Sequence, residues 1–422
     1  MIAVPFWYGK VAGTDLVGGQ DEDKPGILLK VKADICQNLT VYVEKYEEEF
    51  QPFIGEFMKA VWNLLTKIDP SQPKYDSLLA RGMQMLTMIS KGVAHEQLSA
   101  KDSLTQICER LVIPNMRFRD NDEINFEENP TEYIRADLED SNLLTSRSSA
   151  AQLVQGLRRH NEANVTQIFA SYVMNLLNSY ASNPSEKWSD KDVAFHLISA
   201  LAISGSTRME GTTSVNEHVP IGEFFNGQVL TELKAYPNNH AVIQADSLKF
   251  ICSFRSLLPA NAFPSIIEAA VKMISSPVIV VASYAAACIE RLLTVKEANR
   301  SPRFGAEALE PFILSIFTAA FGRLAKADCQ NNEYLMRLIM RVLDVSKGRV
   351  ASASQQIMSE LVAIIERIVK APTIPAFDHY VFESVACLCS CLYDKDPAMV
   401  AQFEAMILPT MTGILQNDTA SK

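Results

Sequence analysis

Apolar residues recur along this chain at spacings of three and four, and stretches of strand-like alternation are few. Between Ala33 and Phe50, the residues Ile35, Leu39, Val43, Tyr46 and Phe50 stand four, four, three and four apart, which places them on one face of a helix. Gln51-Pro52 is expected to end that helix, since proline lacks the backbone N–H that the ladder needs. A second helix then carries Phe57, Val61, Leu64, Leu65 and Ile68 on its apolar side and stops at Asp69-Pro70. The same pattern predicts helices near 76–91, 101–113, 131–159 (with an interruption), 162–182 and 188–203. It resumes at 221–235, 241–257, 262–275, 278–294, 304–324, 332–346, 351–370, 377–393 and 397–416, with prolines between these segments or in their first turns.

First helices of successive pairs begin near 241, 278, 332 and 377. Those intervals scatter around the ~40–47 residues of a HEAT-type repeat, in which two antiparallel helices form one unit. The stretches 298–306 and 371–376 read as irregular connectors that stretch the period. Helices such as 241–257, with Val242, Leu248, Ile251 and Phe254, carry more apolar surface than one partner can cover, so pairs must stack. The expected fold is therefore all-α, a right-handed superhelical solenoid of about eight HEAT-type pairs, continuous over 29–422. Residues 1–28, rich in glycine and holding the acidic cluster Asp21-Glu22-Asp23, fit the scheme poorly and read as an irregular or partly ordered end.

Composition narrows the function. The 422 residues are 48% hydrophobic and 21% charged, ample for a large core. A formal charge of −10 argues against nucleic acid, whose phosphates need clustered lysine and arginine, and favours basic protein partners. No run of 18 apolar residues is free of charges or breakers, so no membrane span is expected, and the N-terminus lacks the basic start of a secretory signal. Eight cysteines without framework spacing read as reduced thiols, and the triplets at Asn38, Asn164 and Asn417 as coincidences rather than glycan sites.

Catalytic grammar is missing. There is no phosphate-binding glycine loop, no H-E-x-x-H and no G-x-S-x-G. Asp120-Asn-Asp-Glu-Ile-Asn125 fails as a calcium loop, because Ile124 stands where an oxygen ligand belongs and Asn125 where the turn needs glycine. Cys387, Cys389 and Cys391 cannot converge on one metal from a helix, since the middle thiol points away from the others. No enzyme, cofactor or metal is expected.

Two segments interrupt the helical rhythm. Residues 117–130 form an acidic stretch, read as a loop, with Asp120, Asp122, Glu123, Glu127 and Glu128 ahead of Asn129-Pro130 and a helical start at Thr131. Residues 204–220 are polar and too long for a helix-pair turn of ~2–8 residues. Within them Arg208, Glu210, Asn216 and Glu217 can make directional polar contacts, and together with the five acids they are the candidate partner-binding residues.

The segment Asn129-Pro-Thr-Glu-Tyr-Ile-Arg135, preceded by acids and an aromatic, resembles a motif of the karyopherin-β superfamily of nuclear transport receptors. Within it the chain resembles the CAS exportins through an ordered set of short matches. These include Tyr42-Val-Glu-Lys-Tyr-Glu-Glu-Glu-Phe50, Val61-Trp-Asn-Leu-Leu65, Ala245-Asp-Ser-Leu-Lys-Phe-Ile251, Asn332-Glu-Tyr-Leu-Met336, His379-Tyr-Val-Phe-Glu383 and Ile414-Leu-Gln-Asn-Asp418. The resemblance implies a receptor that carries importin-α from nucleus to cytoplasm with Ran-GTP, shuttles past nuclear pore proteins, and uses an insertion between Leu201-Ala-Ile-Ser-Gly205 and Glu223-Phe-Phe225 to touch both partners. Such receptors are considerably longer, so the chain is expected to be a central portion, without the repeats that supply the main Ran surface. The alternatives are an import receptor of the same superfamily and a HEAT scaffold subunit unrelated to Ran.

Overall fold

In the computed structural model, residues 24–139, 145–205, 211–370, 374–393 and 396–417 are described. Among them the regular elements are all helical, and β pairing is limited to two isolated bridges, Ile203 with Val215 and Lys296 with Pro302. The chain divides into two compact units, Met1–Ser206 with Ser214–Phe224, and Thr207–Thr213 with Phe225–Lys422.

The first unit holds α1 (Ile27–Lys45), α2 (Glu47–Leu65), α3 (Asp76–Lys91), α4 (Lys101–Ile107), α5 (Ile113–Met116), α6 (Asp120–Glu128), α7 (Pro130–Leu138), α8 (Ser146–Ser182), α9 (Trp188–Ala202) and α10 (Ile221–Phe224). Helices α1, α3, α8 and α9 lie side by side in that order, while α2 covers α1 and α3, and α4 and α5 cover α8. Two details differ from the periodicity. The first break comes at Tyr46, whose backbone (φ −130°, ψ 45°) leaves the helical region, and Pro52 sits inside α2. Leu39, Val43 and Phe50 are buried as expected, but Tyr46 is exposed because it is the corner between two helices. The break expected between the helices 131–159 and 162–182 is a kink at Asn161 (φ −145°, ψ 50°) within the single element α8.

The second unit holds α11 (Leu230–Ala235), α12 (Ala241–Phe254), α13 (Phe263–Ile274), α14 (Ile279–Leu293), α15 (Ala306–Leu309), α16 (Ile313–Leu324), α17 (Glu333–Ser346), α18 (Ser354–Lys370), α19 (Pro375–Leu392) and α20 (Pro397–Asn417). One layer runs α12, α14, α17, α19; the other runs α13, α16 beside it, with α18 and α20 packed on α19. This is the two-layer packing of HEAT-type pairs. Of the 15 residues of α14, 13 are buried, because it has neighbours on three sides and its alanines (282, 285, 286, 287) let them approach. Its one acid, Glu290, is 1% exposed and is answered by Arg337 and Arg341 of α17, each at 3.3 Å. Asn332 caps α17 by accepting from the N–H groups of Tyr334 and Leu335, and its amide also donates to Ser283 Oγ of α14 at 2.7 Å. The helix expected over 304–324 is divided by Pro311 into α15, a short 3-10 turn and α16.

Candidate partner-binding site

The acidic stretch 117–130 is not a loop: Asp120–Glu128 is helical. Asp120, Asp122 and Glu123 lie in its first turn, where they complement the exposed N–H groups and the helix dipole, while Glu127 and Glu128 stand at its C-terminal end. The Asp122 carboxylate accepts the backbone N–H of Arg119 at 3.1 Å, which fixes the turn into α6. Phe126 is the buried residue of α6, packed edge-on against Tyr133 (centroids 5.1 Å) and Phe118 (6.1 Å).

The guanidinium of Arg119 binds this helix to the preceding pair. It donates to Asp122 (3.1 and 3.2 Å), to Asp76 of α3 (2.6 and 3.4 Å) and to the carbonyl of Pro70 (3.3 Å). Burial by itself would lower its pKa, but the hydrogen bonds and charges of Asp122 and Asp76 raise it, so Arg119 is a fixed cation. Beside it, Arg147 at the start of α8 grips Asp192 of α9 through two bonds of 3.0 Å and lies 5.4 Å from the Phe118 ring centre. Burial opposes the Arg147 charge as well, and the fully buried Asp192 more than offsets it. Arg147 also meets His196 Nε2 at 3.1 Å, while His196 Nδ1 lies 3.1 Å from the Asp192 carbonyl; that assigns the proton to Nδ1.

Between the end of α5, the strap 117–119, α6, α7 and the start of α8 lies a cleft of about 280 Å³. Asn115, Phe118, Asp122, Glu132, Tyr133 and Arg147 are among the residues that line it.

The insertion at 204–220 is anchored by its ends. Ile203 pairs with Val215, Ser204 N–H donates to Ser214 O at 3.2 Å, and Asn216 N–H donates to Ala202 O at 3.0 Å. Asn216 is 2% exposed; its amide donates to Thr166 Oγ1 (2.7 Å) and Leu201 O (3.1 Å), and its Oδ1 accepts from His218 N–H (2.9 Å). Arg158 of α8, also buried, donates to the carbonyls of Ala200 and Ile203 and to Ser204 Oγ. Residues 211–213 belong to the second unit, where Thr212 N–H donates to Ser253 O at 2.8 Å. Gly211 precedes it at φ +80°, and a Cβ there would stand 2.9 Å from the same carbonyl, so glycine is required.

Of the residues proposed from sequence, Asp120, Glu123, Glu127, Glu128 and Glu217 face solvent. Asp122 is engaged with Arg119, and Asn216 is turned inward as a structural pin, so neither offers its side chain to a partner. Arg208 and Glu210 lie outside the described residues. Sequence reading missed Asn115, Arg119 and Arg147. Their partners lie 43 to 45 positions away for the two arginines, a separation that no local pattern reports.

Comparison with known proteins places this architecture. The family model described as Cse1 matches residues 11–289, and that described as CAS/CSE protein, C-terminus, matches residues 290–421. Exportin-2 of Pagrus major and of Homo sapiens are each 36% identical over 405 residues, covering 96% of this chain and 42% of theirs. The chain thus spans less than half the length of these relatives. A solved structure of the exportin Cse1 in its cargo-free, cytoplasmic state matches with a TM-score of 0.85 at 29% identity, over 99% of this chain and 44% of that one. Kap121p bound to Pho4p shares the fold alone, with a TM-score of 0.62 at 14% identity. With two family models together spanning nearly its whole length, this chain belongs to the Cse1 (CAS/CSE) family of exportins.

Proposed function

We propose that this chain forms the central part of a transport receptor, not an enzyme, that returns importin-α from nucleus to cytoplasm in a complex with Ran-GTP. The match to Cse1 over 99% of the chain carries this reading. The receptor shuttles through the nuclear pore and meets pore proteins on the way. Physically the export step is reciprocal coupling: importin-α and Ran-GTP favour the same conformation of the helical array, so each raises the affinity of the other. The exposed acids Asp120, Glu123, Glu127 and Glu128, with Glu210 and Glu217 of the insertion, are the contacts proposed for basic partners, and Arg208 is proposed as a directional polar contact of the same insertion.

The test is capture of importin-α by this chain in a pull-down, with and without GTP-locked Ran, beside full-length human Exportin-2. Capture that rises with Ran-GTP supports the reading and shows that these repeats already carry the coupling. Capture that ignores Ran's nucleotide state points instead to a scaffold. Failure here with success in the full-length relative shows that flanking repeats are needed. If a version of this protein extended to the relatives' full length also fails, the export reading is wrong.

A further inference from the structure

Asn115 sits in the wall of the cleft described above and is 5% exposed. Its Nδ2 donates to Leu111 O at 2.8 Å, which fixes the orientation of the amide. Its Oδ1 is thereby an acceptor, and it has no hydrogen-bond partner. A buried acceptor without a donor is destabilising in a folded protein, and each such atom needs a reason.

The charges around it are already paired in one sense. Arg117 is bound to Asp190 (3.0 Å), Arg119 to Asp76 and Asp122, and Arg147 to Asp192. No arginine of the lining is left to recruit an anion, whereas Glu132 adds a carboxylate at the rim. The walls include the rings of Phe118 and Tyr133, 6.2 Å apart, and Phe118 already has one guanidinium beside it. At about 280 Å³ the cleft admits one long side chain rather than a folded element.

We propose that this cleft receives the cationic side chain, lysine or arginine, of a basic segment of a partner protein, its N–H donors meeting Asn115 Oδ1 and the Glu132 carboxylate while its stem lies along Phe118 and Tyr133. The proposal rests on the partner-binding reading only in taking the ligand to be a protein segment.

The probe is a blocked heptapeptide of alternating lysine and glycine, with norleucine and glutamate counterparts. It is titrated into the full chain by calorimetry and by the fluorescence of Trp188, whose ring lies 5.5 Å from Phe118. Saturable binding of the lysine peptide is expected, weakened about tenfold by Glu132→Arg and by Asn115→Leu. It should be unaffected by Glu366→Arg, the same charge change at an exposed position of the second unit. Because Asn115→Leu also removes the bond to Leu111, the exposed Glu132 supplies the variant that leaves folding intact. Equal binding by all variants would reduce the effect to the attraction of a −10 chain for any polycation and overturn the proposal. So would the lack of saturable binding, or a preference for the glutamate peptide. The assay contains neither Ran nor importin-α, so it can fail while the export reading holds, and the reverse.

Discussion

Asn216 joins three chain segments from a position almost closed to solvent, through bonds to Thr166, Leu201 and His218. Asn216→Ala removes the buried bonds to Thr166 and the Leu201 carbonyl and the acceptor of the His218 N–H, and should cost about 1–3 kcal/mol of stability. Denaturant unfolding measures this, and a loss below about 0.5 kcal/mol would show that the insertion does not depend on it. His240 gives a pH dependence. Its Nδ1 caps α12 by accepting from Val242 N–H at 3.3 Å, and burial lowers its pKa from 6.5. The unfolded chain then binds the proton more readily than the folded one. Stability is complete above pH 6.5, falls as pH drops towards the lower folded value, and levels beneath it. His240→Asn keeps a capping side chain that does not titrate and should remove that step from a plot of melting temperature against pH. An unchanged profile would assign the step to other groups. At this scale the sequence showed which residues can make polar contacts. It did not show which way they turn: Asn216 and Glu217 are neighbours, one pinned inside and one in water.

Helix contacts are set by small residues as much as by large ones. At Gly156 of α8, a Cβ would lie 2.4 Å from Ser90 Oγ and 3.1 Å from Thr87 Cγ2 of α3. Gly156→Ala should therefore destabilise by about 1–3 kcal/mol through overpacking, and Ser90→Ala should relieve part of that loss. Thermal melts of the two single variants and the double variant check this; purely additive effects would exclude the contact as the cause. The elements themselves were largely legible, since α3, α9, α14 and α17 fall within a residue or two of the periodicity. The helix Asp120–Glu128 was not, because one buried aromatic among acids gives no amphipathic stripe. Acids in a first turn stabilise a helix while reading, in isolation, as a solvated loop. Pro52 misled in the opposite direction: it suggested a stop, yet the chain turns at Tyr46 and α2 continues through the proline.

Two compact units predict unfolding that departs from a single two-state transition. Leu338→Ala, at a fully buried position of α17, should cost about 2–5 kcal/mol and lower the transition of the second unit. Asn216→Ala should lower that of the first. Calorimetry of both variants tests this, and one transition shifted equally by each would show that the units melt together.

By itself the sequence determined that the chain is helical, that its helices come in stacking pairs, and which receptor family it resembles. Those properties reside in the period of apolar residues and in short ordered words, both of which are local. Tertiary structure alone decided how the acidic segment is used. Arg119 and Arg147 close on carboxylates of other helices, beside a cleft whose wall includes Asn115, a residue with a buried Oδ1 acceptor that has no hydrogen-bond partner. Pairing of charges across helices depends on distances in space, which spacing along the chain does not encode.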